Sequence, residues 1–108
     1  MAFNYKVLAQ DASGASNTNI YTAPSSSQVI ISTITVANIS ASAATYRIAI
    51  RPNAETLANK HYIAYDVPIA ANNTIALTLG LTLDAADVIT TYGSTSSVVF
   101  NLYGSEII

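Results

Sequence analysis

The chain has 108 residues, one histidine, no cysteine and a formal net charge of -2, so one domain with a two-layer core is expected, held by packing without disulfides or thiolate metal sites. Charged residues make up only 9% and hydrophobic residues 51%, against about 25% charged in an ordinary soluble domain. The four cations Lys6, Arg47, Arg51 and Lys60 are too few for a phosphate-binding patch, which argues against nucleic acid, and no apolar run reaches the roughly 18 residues of a membrane-spanning helix.

The predicted elements begin with Phe3, Tyr5, Val7 and Ala9, which alternate with Asn4, Lys6 and Gln10 as in a strand, although Leu8 breaks the pattern. Residues 11–17 form a loop by composition, and Asn19-Ile20-Tyr21-Thr22 is a short strand stopped by Pro24 and three serines. The longest strand runs from Gln28 to about Asn38. Its start, Val29-Ile30-Ile31, is apolar on both faces, as in a strand central to a sheet or covered on both sides.

From Ala44 to Arg51 the chain alternates again, with Tyr46, Ile48 and Ile50 on one face and Thr45, Arg47 and Arg51 on the other, until Pro52 ends the strand. Residues 53–60 are the one segment suited to a helical turn, with Leu57 as its apolar anchor. A strand from His61 to Asp66 follows. Then Ile75, Leu77 and Leu79 mark a core face beyond the turn at Pro68 and Asn72-Asn73, and Gly80-Leu81-Thr82-Leu83 carries the chain to a tight turn at Asp84-Ala85-Ala86-Asp87. Residues 88–92 and 97–103 read as a hairpin, with Val98, Phe100 and Leu102 inward. About eight strands and no helix able to cover a sheet predict an all-β antiparallel two-sheet β-sandwich, Greek-key or jelly-roll, over residues 1–108.

Candidate chemistry is sparse. His61 has no cysteine to activate, no serine sits in a G-x-S-x-G elbow, and the four glycines are scattered. His61 is expected to be a strand-edge residue making one hydrogen bond. Asp84 and Asp87 suit a turn better than a calcium site, which needs six to eight oxygens. No enzyme, cofactor or metal is therefore expected. The tyrosines are expected to fill sheet faces. Arg47 and Arg51, with Lys60 and His61 close by, form a candidate cationic strip, answered either by Asp66 or Glu55 within the domain or by an acidic neighbour across an interface. Ile107 and Ile108, apolar up to the carboxylate, are candidate docking residues whose deletion is expected to weaken oligomerisation and spare the fold.

A chain of 11.3 kDa exposes roughly 5,700 Å² by size scaling, which ten charged side chains cannot cover, so burial against neighbours is expected. Met1-Ala2-Phe3-Asn4-Tyr5-Lys6 lacks a basic region followed by an apolar stretch, so no secretory signal is expected and synthesis in a cytoplasm is.

Several stretches resemble small proteins of tailed bacteriophages of aquatic bacteria, including cyanophages. They are Ile20-Tyr21-Thr22-Ala23-Pro24, Ala44-Thr45-Tyr46-Arg47-Ile48-Ala49-Ile50-Arg51-Pro52, Lys60-His61-Tyr62-Ile63-Ala64-Tyr65-Asp66, Pro68-Ile69-Ala70-Ala71-Asn72-Asn73-Thr74, Leu79-Gly80-Leu81-Thr82-Leu83 and Phe100-Asn101-Leu102-Tyr103-Gly104-Ser105-Glu106. The resemblance implies a virion structural role and carries no catalytic residue. The leading expectation is a head-decoration or cement subunit, in a homo-oligomer or symmetric array on the major capsid protein. A neck, tail or fibre component of the same particle, contacting neck or tail proteins, is the alternative. A host-surface or glycan-binding module is a further one.

Overall fold

The computed structural model describes residues 2–12, 14–78 and 80–108. The expectation placed on Leu79, and the parts of the N-terminal and loop readings that fall on Met1 and Ser13, lie outside these residues.

The alternating stretches form strands β1 (Phe3–Asp11), β2 (Thr18–Thr22), β3 (Gln28–Asn38), β4 (Ala44–Arg51), β5 (Tyr62–Ile69), β6 (Thr74–Leu77), β7 (Leu81–Asp84), β8 (Val88–Gly93) and β9 (Val98–Ile107). The chain is an all-β sandwich of two antiparallel sheets. One has five strands in the order β1-β9-β3-β6, with β7 also pairing β3; the other has four, in the order β2-β8-β4-β5. The strand that alternation does not separate from its surroundings is β7, where Leu81 and Leu83 pair with Ile31 and Val29. The segment suited to a helical turn gives two short 3-10 turns, Pro52–Ala54 and Asn59–His61, with Leu57 between them.

Inward side chains of both sheets make the core: Val29, Ile31, Ile34 and Val36 of β3, Val98, Phe100 and Leu102 of β9, Tyr46 and Ile48 of β4, Ile69, Leu83 and Ile89. The Tyr46 and Phe100 rings meet edge to face, with centroids 6.4 Å apart, the arrangement their quadrupoles favour. Burial pushes the Tyr46 hydroxyl pKa up. Asn38 is buried at the end of β3 and ties the next loop together. Its amide nitrogen donates to the Ser42 carbonyl at 2.8 Å, and its oxygen accepts from the Ser40 hydroxyl at 2.9 Å.

Bulges set which residues face out. In β3 the register slips between Ile31 and Thr33, so the inward set changes from Val29 and Ile31 to Ile34 and Val36. In β1 it slips between Val7 and Ala9. One extra residue reverses every later side chain, and Leu8 is that residue. The alternation of Phe3, Tyr5 and Val7 therefore belongs to the solvent side of the sheet, while Leu8 and Ala9 turn towards the core.

Candidate functional site

The cationic residues singled out from the sequence do not form one strip; each is answered inside the chain. Arg47 meets Asp66 with Nε donating at 2.5 Å and Nη2 at 3.2 Å, a bidentate pair. Its guanidinium also lies 4.3 Å from the Tyr65 ring centroid and 4.5 Å from that of Tyr92. The bulge of β5 explains this geometry. Tyr46 pairs with Val67 and Ile48 with Ala64, so Tyr65 and Asp66 together oppose the single residue Arg47, and Asp66 takes a left-handed φ of 48°. The bulge thereby aims both side chains at Arg47. The hydrogen bond to Asp66 is the main cause raising the Arg47 pKa. Tyr62 completes the cluster, edge-on to Tyr65 at 4.9 Å.

Arg51 is tied to its own neighbourhood. It donates to the Glu55 carbonyl at 2.7 Å, to Asn19 Oδ1 at 2.8 Å and to Thr90 Oγ1 at 3.2 Å. Lys60 and His61 both reach Glu55, at 3.4 and 3.1 Å. The hydrogen bond from His61, then that from Lys60, holds the Glu55 carboxyl below the usual carboxylate range. His61 is buried at the end of a 3-10 turn and not on a strand edge, and it makes two hydrogen bonds where one was expected. Nδ1 accepts from the Ala58 backbone N–H at 3.0 Å, which leaves the hydrogen on Nε2 to face Glu55. We predict that His61→Phe, which keeps the ring and orphans the Ala58 N–H, lowers unfolding free energy by about 1–2 kcal/mol in urea titrations.

The acidic turn is also structural. Asp87 accepts backbone N–H groups of Asn53 at 2.8 Å and Asp84 at 2.9 Å, and Asp84 accepts that of Ala85 at 2.9 Å. No three metal-ligating side chains converge among the described residues.

Ile107 and Ile108 are not a free tail. Ile107 belongs to β9, flanked by Phe3 on one side and Gln28 on the other. Ile108 and Ala2 exchange both backbone hydrogen bonds, at 2.7 and 2.9 Å. Deleting these two residues removes ladder bonds that hold β1, so the expectation that truncation spares the fold is revised.

The outer face of the five-stranded sheet does not show in the alternation pattern. Phe3 is 54% exposed, Tyr5 80%, Val7 49% and Ile30 41%. Register places Tyr5, Ser105 and Ile30 side by side across β1, β9 and β3, with Val7 beside Tyr103 and Phe3 beside Ile107. Tyr5, Ile30, Ser32, Tyr103 and Ser105 line a shallow depression of about 340 Å³, and the buried Ser105 hydroxyl has no hydrogen-bond partner. The break at Leu8 is the signal for this face in the sequence, because a bulge there reverses the faces of the strand. The chain exposes 5495 Å², close to the roughly 5,700 Å² expected for its size. The apolar face is thus a property of a normally closed fold.

No family model, curated protein or solved structure matches the chain.

Proposed function

We propose that the chain is a non-enzymatic virion structural protein, a head-decoration or cement subunit made in the host cytoplasm and buried against neighbouring subunits of a phage particle. The observation that carries this reading is the apolar outer face of β1, β9 and β3 on a chain with only 9% charged residues. Contiguous apolar surface on a small closed domain marks a protein contact. The sequence resemblance supplies the kind of particle. The Arg47 cluster supports a scaffold role, since its charges are spent internally. Repeated modest contacts, multiplied by symmetry, would stabilise the shell without any tight single site.

Gold-labelled antibody microscopy on intact and tail-separated particles tests this reading. Label spread over heads is the expected result. Label confined to the neck or tail moves the subunit to that part of the particle, and absence from every intact particle overturns the virion reading.

A further inference from the structure

We infer that the free edge of β1 pairs with the β1 edge of a second copy, making a twofold dimer with Tyr5 on the axis. This deepens the assembly reading by naming a surface and partner, but it rests on strand geometry alone and stands or falls separately.

Ladder parity shows which backbone groups are available. Ala2 and Ile108 exchange both their hydrogen bonds, and the same register continues through Asn4 with Glu106 and Lys6 with Gly104. Bonded pairs alternate with non-bonded ones in an antiparallel ladder. The N–H and C=O groups of Phe3, Tyr5 and Val7 therefore point away from β9, to the open edge. These same three residues carry the exposed apolar side chains.

The other edges are blunted. β2 has five residues and a register break. β6 and β7 have four each. β5 is broken by two register shifts and contains Pro68, all devices that discourage strand addition. β1 has its register break only after Val7, so along Phe3–Val7 the guard is Lys6, and Glu106 holds its ammonium at 2.9 Å.

Charge then selects the register. Pairing Tyr5 with Val7 would set Lys6 directly against the Lys6 of the other copy, which is repulsive. Pairing Tyr5 with Tyr5 sets Lys6 against Asn4 and Phe3 against Val7. That alignment satisfies the outward backbone groups of all three residues, about six bonds in total, and joins the two apolar faces into one surface. It also ends before the bulge at Leu8.

Sedimentation of the full chain over a concentration series tests the inference. A monomer–dimer equilibrium is expected. Tyr5→Lys, which sets two ammonium groups on the axis, should raise the dimer dissociation constant at least about tenfold. Tyr5→Pro should do the same with an unchanged circular dichroism spectrum, because the N–H it removes bonds nothing within the chain. The chain has no cysteine, so a single introduced thiol reports register: Tyr5→Cys should oxidise to a covalent dimer and Lys6→Cys should not. A parent that stays monomeric at every concentration, a dimer indifferent to both Tyr5 variants, or cross-linking through position 6 alone would each overturn the inference. None of these results bears on where label falls on a particle.

Discussion

Gly104→Ala is expected to cost about 3 kcal/mol or more of folding stability, because the new methyl would meet backbone instead of a side chain that can move aside. A Cβ added at Gly104 would lie 2.0 Å from the Ile30 carbonyl oxygen and 3.0 Å from its carbon. The approach is that close because β3 bulges just beyond Ile31 while β9 runs straight past it. Relief requires β3 and β9, the two central strands of the larger sheet, to separate. Gly80 provides the contrast. Its φ is +62° and an added methyl would have nothing within 4 Å, so Gly80→Ala meets only the left-handed backbone penalty of about 1–2 kcal/mol. Urea denaturation of both variants separates the two causes. A Gly104→Ala loss no larger than that at Gly80 would mean that the strands part easily there.

The same bulge explains how far the fold is legible in the sequence. Most strand positions and the two-sheet architecture follow from period-two alternation, and Val98, Phe100 and Leu102 are buried as the pattern requires, but the expected hairpin does not form, since β8 and β9 lie in different sheets. Alternation gives a strand but not which face turns inward, and each bulge reverses that choice. Phe3, Tyr5 and Val7 alternate as cleanly as the core residues, yet they face out because Leu8 shifts the register before the strand reaches the core. Ile30 lies between two buried neighbours in a central strand and is itself exposed. In β7, only four residues long, too little pattern exists to distinguish a strand from a connection.

The charged residues show a different limit. Asp66 and Glu55 can be named as partners from their types, but spacing alone cannot divide the cations between them. That division depends on the β5 bulge, which brings Asp66 to Arg47, and on the 3-10 turn that buries His61 beside Glu55. Tyr21 and Glu106 lie 85 positions apart, and nothing local to either residue marks them as a pair.

That pair supplies the second large effect. Glu106 faces inward from β9 and accepts the Tyr21 hydroxyl at 2.5 Å across the two sheets, while Lys6 closes on its other oxygen at 2.9 Å. The hydrogen bond from Tyr21, followed by that from Lys6, holds the Glu106 carboxyl below the usual range. Burial, reinforced by Glu106, pushes the Tyr21 hydroxyl well above its usual value. Glu106→Ala should cost about 2–3 kcal/mol near neutral pH, since it strands a half-buried hydroxyl and cuts a charge-assisted bond. A double-mutant cycle with Tyr21→Phe should return about 1–2 kcal/mol of coupling.

The pH dependence follows from the two directions. Glu106 is depressed when folded, so its contribution is present above the unfolded carboxylate value of about 4.3 and lost as pH falls through the folded value. Glu55 acts with the same sign. Tyr21 is raised when folded, so its contribution is present below about pH 10 and lost as pH climbs beyond it. Glu106→Gln should shrink the acid loss and only part of the alkaline loss, because burial, the larger cause at Tyr21, remains and Tyr46 also contributes. A Glu106→Ala cost that is equally large in acid and at neutrality would show that the carboxylate charge plays no part. Because Glu106 also holds Lys6, its removal returns a free ammonium to the β1 edge, and the dimer should weaken together with the fold.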